Sequence, residues 1–598
     1  MLGLFELDGN PRYRLSERPT KMLTAKLSLI RTPETMVLLL FGLCSFLPAS
    51  AANEQTGMLQ LTITDTATGE PVPARVEIRG ADGAYHVASD ALLVGGDCDM
   101  SDKGAGYVDL ASTLAGFSNS ITNHYTKSTQ FYSDGTSLVV LPAGNATISV
   151  FKGPEYKVPV EAIEIQSGET LTHSLSLSRW IAMPEKGWYS ADDHLHIPRP
   201  VPELNPYIST MMQAEDIHIA NLLQMGKVKN FTIAPQHTHG PDSHYQQGNY
   251  ILAAGQENPR SHFLGHTITL GADTTHHNPE KYLIYRLVWQ ETVKQGALNG
   301  FAHGYFPESA VFPIGPHDGM AVVAPHNLLH FVEVLQFNRS GYDAWYDLLA
   351  LGFRVTPTAG TDYPCAEQTI PGHERFYTKV AGPLTYANWL EGVRKGRTFV
   401  TTGPLLEFAI DGHDIGSELV LERPTTVQLT GRVAFDPERD DLSFVELIHN
   451  GNMIKRFSRI GGADAIEFAV TQRVDEASWF AVRGYGGKPQ EETLVVPPLM
   501  SSFKPASNLH SAPIYVTLKD RPGIEHSAHS RTVAASWLAR LEDLETMLSD
   551  QNIEHLAKKL ASPNMDAVPR ETLMNSRQDL IREVQTAKDF FKNLTQTD

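Results

Sequence analysis

The hydrophobic pattern of this chain changes period twice, and that limits the fold more than any single motif does. From Gly57 to about Arg179 apolar residues alternate with polar ones in 58–64, 74–78, 137–141 and 147–150, with Gly69, Pro71, Gly80 and Pro142-Ala143-Gly144 between these runs. Period two puts alternate side chains on one face, so these stretches read as half-buried strands of a β-sandwich, with a longer insertion over 91–134. After Lys186 strand-like and helix-like stretches take turns: a helix over 282–298, strands at 300–303 and 331–335, a helix over 343–351 stopped by Gly352, then a strand over 354–362. That order predicts an α/β domain with a mainly parallel sheet or barrel. Beyond Leu405 alternation returns in 407–410, 426–429, 444–448 and 480–483, predicting a second sandwich to about Asp520. Trp537, Leu541, Leu544 and Leu548 then recur at helical spacing, a stripe suited to packing on the preceding domain. The expected fold is multidomain, α/β plus β, divided as 1–51, 52–183, 184–405, 406–522 and a helical tail, 523–598.

At 598 residues the chain is several times a usual domain length. Its formal charge of -19 and the lack of a clustered Lys/Arg run argue against a nucleic-acid partner. The apolar run 36–47, followed by Pro48 and Ala49-Ser50-Ala51 and flanked by Lys26 and Arg31, has the shape of a signal-peptide core with its cleavage site. It starts so far in that the first 21 residues read as an over-extended start, with Met22 giving a more usual signal. Export to the periplasm or beyond is expected, with no integral span after signal removal; an uncleaved single anchor is the alternative. Cys44 would leave with the signal, and Cys98 and Cys365 form no disulfide framework.

The run 187–196, Gly-Trp-Tyr-Ser-Ala-Asp-Asp-His-Leu-His, reads as a buried strand. Residues i and i+2 of a strand share a face, so His194 and His196 can both reach one cation at about 2.0–2.2 Å. Asp192 faces the same way, as a further ligand or as an orienting partner for a histidine. A surface His-x-His loop is the alternative. In α/β sheets chemistry collects at the carboxyl ends of strands, and His196, His303 and Asp362 all fall at such predicted ends.

Taken in order, the strand 187–196, Gly255-Gln256-Glu257, Gly265-His266-Thr267-Ile268-Thr269-Leu270-Gly271, Phe301-Ala302-His303-Gly304, the strand carrying Glu333, Gly360-Thr361-Asp362 and the stretch 396–404 resemble the carbaryl-hydrolase-type (CehA/McbA) family of metallohydrolases, within the PHP superfamily. The resemblance covers about 187–412. It implies a distorted α/β barrel whose strand ends hold divalent cations, flanked here by the two β-sandwiches. It also implies His194, His196, Glu257, His303 and Asp362 as metal ligands, with Glu257 and Asp362 as the carboxylates able to manage a proton. Glu333 and His266 sit in family phrases and could touch metal or substrate. Two customary ligands are missing: 217–226 lacks a Thr-Asp-His, and the closing motif is Asp362-Tyr363-Pro364 in place of Asp-x-His. One or two ions are therefore expected. The loop histidines His237 and His239, with His244 beyond, either replace ligands or are solvated, and Arg375 and Arg397 either contact a substrate anion or are structural.

A mixed His and carboxylate set suits Zn, Mn, Fe or Co. Metal-activated water would attack an ester, carbamate or phosphoester of a small molecule. The rival is a non-catalytic glycan- or protein-binding module on a degenerate barrel, which has no need for all five ligand residues together.

Overall fold

The computed structural model describes residues 55–95, 109–123, 126–304, 316–364, 370–486, 507–521, 523–561 and 566–596. The apolar run 36–47, Cys44, Cys98 and Cys365 lie outside them.

Alternation in the first region places side chains as expected: Thr56–Asp65 buries Leu59, Leu61 and Ile63 and exposes the residues between. It lies between Thr170–Leu177, which runs parallel, and Thr136–Pro142, which runs antiparallel. A five-stranded sheet that includes Ala74–Arg79 and Gly144–Phe151 packs across it, and Val76, Ile78, Ile148 and Val150 complete one apolar core with the first sheet.

The strand Trp188–Leu195 opens the central region, and nearly every side chain in it is buried, as a strand covered on both faces requires. It pairs parallel to Ile219–Lys227, which pairs parallel to Tyr250–Ser261. Gly265–Leu270 and Leu298–Phe301 follow antiparallel, and then Phe331–Gln336 and Thr356–Ala359 run parallel. A single parallel bridge between Leu195 and Tyr363 links the segment after the last of these strands to the first. Arg375–Lys379 runs antiparallel along the other side of Trp188–Leu195. Helices Asn205–Ala214, Tyr285–Val293, Pro316–Val323, Asp343–Ala350 and Tyr386–Arg394 intervene, and the fully buried Trp289, Trp345 and Trp389 seat three of them in the largest core.

The helix expected over 282–298 is shorter than its apolar spacing suggests. Gly296 takes a left-handed φ of 81°, and the Ala297 N–H returns to the Thr292 carbonyl, so the chain turns into the strand at Leu298. Gly352 stops Asp343–Ala350 in the same way, with φ 87° and the Phe353 N–H on the Leu348 carbonyl.

Past Leu405 one four-stranded sheet stands against strands that continue the central sheet through the pairing of Phe399 with Ser511. The tail forms helices Ala528–Met547, Ile553–Leu560 and Arg570–Gln596. Its Trp537, Leu541, Leu544 and Leu548 bury into the core that holds Trp345. The Trp537 indole donates to Asp347 Oδ2 at 2.8 Å, and Arg286 grips Glu583 through Nε at 3.0 Å and Nη2 at 2.7 Å. The fold is mixed α/β plus β, and no helix among the described residues is long and apolar enough to cross a membrane.

Candidate metal centre

The end of Trp188–Leu195 delivers two imidazoles to one point. His194 Nε2 and His196 Nε2 lie 3.1 Å apart, and both rings are buried. Their other nitrogens face acceptors: His196 Nδ1 lies 3.0 Å from the Leu223 carbonyl and His194 Nδ1 lies 3.1 Å from Glu333 Oε1. A carbonyl can only accept, so His196 Nδ1 carries a hydrogen, and the carboxylate favours the same state in His194. The two Nε2 lone pairs then face one another, an arrangement that a proton or a cation between them satisfies.

Two carboxylates and two further imidazoles close around that point. Asp362 Oδ1 lies 3.2 Å from His196 Nε2 and 3.5 Å from His194 Nε2, and Glu257 Oε2 lies 3.4 Å from His196 Nε2. On the other side of Glu257, His266 Nδ1 lies 2.8 Å and His303 Nε2 3.9 Å from Oε1. His303 Nδ1 is held by Gln336 Oε1 at 2.5 Å, and Gln336 Nε2 donates to Glu333 at 3.1 Å. Glu333 also accepts the His303 backbone N–H at 2.8 Å, so it fixes two imidazoles at once.

The backbone is strained where it matters. His303 and Asp362 have left-handed φ values of 57° and 55°, which non-glycine residues seldom adopt unless the surroundings impose them. Gly360 is required for a different reason: a Cβ there would lie 2.5 Å from His194 Cβ and 2.7 Å from Glu333 Oε1.

Burial raises the Glu257 carboxyl, but Arg260 and His266 together hold it well below the usual range. Burial likewise opposes charge on Asp362, and His194 and His196 keep its pKa lowered. Burial also lowers His196, yet Asp362 and Glu257 hold it at about 9. His266 stands at about 9 because Asp566 and Glu257 outweigh burial and Arg260. His303, buried beside His266 and His194, drops to about 3. Burial pushes Glu333 well above the usual range against the hydrogen bond from the His303 N–H.

The structure brings together His194, His196, Glu257, His303, Asp362, His266 and Glu333. The other candidates serve other partners. Asp192 does not face the imidazoles as a ligand: its carboxylate accepts from the N–H groups of His194, Thr361 and Gly372 and from the Thr361 hydroxyl, pinning the Asp362 turn. The register shift after Asp192 breaks the shared face expected from two-residue spacing. Arg375 is buried, with its guanidinium on the carbonyls of Gly372, Glu215 and Asp216, and is structural. Arg397 belongs to the turn before Thr398–Thr401, its N–H on the Gly392 carbonyl. Burial, and after it the charge of Arg199, lowers both His237 and His239, and His244 packs on Tyr386; none of the three joins a metal-sized group among the described residues.

Four contributors are not legible in the sequence: Gln336, Arg260, His262 and Asp566. Arg260 Nη1 lies 3.5 Å from Glu257 Oε2, and its Nε lies 3.3 Å from Asp566 Oδ1. The only sequence signal is the position of His262 and Arg260 between two family phrases. Asp566 carries none, because its contact is tertiary and spans about half the chain.

The donor set fits a divalent cation. Both oxygens of Glu257 are buried without a well-formed hydrogen bond, at the centre of four imidazoles. Three triplets have ligand atoms within 4.8 Å of one another: His194, His196 and Glu257; Glu257, His266 and His303; His194, His303 and Glu333. Glu257 is common to the first two, as a carboxylate bridging two ions would be. A fourth triplet joins His262, His266 and Asp566.

No family model matches the chain, and no curated protein matches it. Among solved structures, a two-domain protein containing a predicted PHP-like metal-dependent phosphoesterase from Bacteroides vulgatus ATCC 8482 is similar over 50% of this chain and 90% of that one, at 12% identity and a TM-score of 0.28. GBS52, the minor pilin of the gram-positive pathogen Streptococcus agalactiae, is similar over 21% of this chain, at 15% identity and a TM-score of 0.14; the chain spans under half (46%) of that protein's length. At such scores neither likeness supports a conclusion about this chain.

Proposed function

We propose that the chain is a metal-dependent hydrolase on a PHP-like distorted barrel of the carbaryl-hydrolase type, exported to the periplasm or beyond. Its site would hold one or two divalent cations, Zn, Mn, Fe or Co, and cleave an ester, carbamate or phosphoester of a small molecule. One observation carries this reading: four buried imidazoles converge on Glu257, whose oxygens lack well-formed hydrogen bonds, with Asp362 against two of the same imidazoles.

His194, His196, Glu257 and Asp362 would hold one ion, and Glu257, His266 and His303 the other. Such an ion supplies a water acidified from about 15.7 towards about 7, a nucleophile at neutral pH. Asp362 is the most exposed carboxylate of the set, with 16% of its side chain accessible against 1% for Glu257. Its lowered pKa keeps it charged, so an oxygen not committed to metal can take the proton of an attacking water. Glu333 and Gln336 keep His194 and His303 in the tautomer that leaves Nε2 open. A binding module would have no use for this convergence.

The test is hydrolysis of p-nitrophenyl ester, carbamate and phosphate panels by the purified protein, stripped with chelator and then resupplied with Mn or Zn. The expected result is turnover on one panel that disappears on stripping and returns with metal. Turnover indifferent to stripping, or none on any panel with metal bound, would contradict the proposal.

A further inference from the structure

Every imidazole of the centre has its outward nitrogen turned to a protein acceptor, and one of those acceptors comes from the far end of the chain. Leu223, Glu333 and Gln336, which serve His196, His194 and His303, all belong to the central sheet. His266 is served from the tail: with Nδ1 on Glu257, its Nε2 faces Asp566 Oδ1 at 3.5 Å, and both atoms are buried. Asp566 lies between helices Ile553–Leu560 and Arg570–Gln596, so the helical tail reaches the site through this carboxylate.

The same carboxylate holds a nearby cation. Asp566 Oδ1 lies 3.3 Å from Arg260 Nε, and Oδ2 lies 2.8 Å from His262 Nε2. Arg260 points Nη1 at Glu257 and comes within 3.5 Å of His266 Nδ1. Without Asp566 the guanidinium would lose one of its carboxylate partners, and its charge would oppose the ion that His266 holds through the nitrogen 3.5 Å away.

We propose that Asp566 is a positioning residue for the second metal position: it orients His266 toward Glu257 and His303 and neutralises Arg260, making the helical tail a working part of the centre. This rests on the metallohydrolase reading and adds to it a dependence of one ion, and not the other, on the tail. Loss of such an outer partner weakens metal affinity by about 10–100-fold. The first position, built on His194, His196 and Asp362, keeps its own partners.

The test is Zn titration of the chelator-stripped, full-length protein by calorimetry, with bound metal counted after dialysis and folding checked by circular dichroism. Wild type is expected to take up two ions. Asp566→Asn should bind the first as wild type does and the second about 10–100-fold more weakly. Asp566→Glu, which keeps the charge beside Arg260, should fall between the two, and it carries the test if Asp566→Asn does not fold. His262→Ala, which removes one contact of Asp566 Oδ2 and leaves Oδ1 facing His266 and Arg260, should weaken the second ion less than Asp566→Asn does. Two wild-type affinities in both Asp566 variants, or a wild type that takes only one ion, would overturn the inference and leave the hydrolase reading standing. A second ion weakened as much by His262→Ala as by Asp566→Asn would make Asp566 a ligand of a separate site with His262, and would also overturn it. A wild type that binds no ion would remove both readings.

Discussion

Replacing Gly360 by alanine tests the site's geometry with a single methyl group. The added Cβ would stand 2.5 Å from His194 Cβ, 2.7 Å from Asp193 Oδ1 and 2.7 Å from Glu333 Oε1. Carbon atoms sit about 3.5–4.0 Å apart at their optimum, so the Gly360 and His194 segments must separate by about 1 Å. None of the three obstacles is the loose end of an exposed side chain, since His194, Asp193 and Glu333 are all buried. Overpacking of this kind costs about 1–3 kcal/mol. The functional effect should be larger, because ligand distances tolerate only about 0.2 Å and the separation divides His194 from Asp362. Turnover should fall about 100-fold or more. Gly461, with no atom within 4 Å of its would-be Cβ, is the control, and its alanine variant should be neutral or slightly stabilised. Urea unfolding and metal content after dialysis would be compared for both variants. A Gly360→Ala protein as stable as Gly461→Ala, with wild-type metal content, would refute the steric reasoning.

Two further substitutions separate structural carboxylates from ligands. Asp192→Asn places an amide against the four donors its carboxylate now accepts, and should cost about 1.5–3 kcal/mol in urea unfolding while metal content stays at the wild-type level; lost metal at unchanged stability would make Asp192 a ligand after all. Glu583, between Arg286 and His326, is raised by burial but held by those partners at about 2, below its ordinary 4.5. A lowered folded pKa contributes stability above about pH 4.5 that is lost as pH falls towards 2. Glu583→Gln should therefore be less stable than wild type at pH 7 and closer to it at pH 3, and a gap that does not change with pH would count against the pairing.

The sequence discloses the parts of this site that sit at the ends of strands. His196, His303 and Asp362 are legible because alternation and turn residues locate the strand ends, and strand ends in an α/β sheet point at one another; His194 follows from its spacing to His196, and Glu257 is implied by the family resemblance alone. Of the two roles that spacing offers Asp192, the ligand one fails because two-residue periodicity holds only in a regular strand, and the register shifts just after it. Arg375 reads as a candidate anion contact because a sequence shows a charge and not its surroundings, here three backbone carbonyls. Asp566 is not legible at all. The helical stripe of Trp537 and Leu541 announces that the tail docks, but not that a residue between two helices reaches His266.

The most direct measurement of the central claim is the divalent metal content of the protein purified without chelator, beside that of the His194→Ala/His196→Ala variant. The convergence of these imidazoles on Glu257 and Asp362 predicts one to two ions per chain in the first and at least one fewer in the second, with the fold retained by circular dichroism. Equal metal content in the two proteins, or none in either, would contradict it.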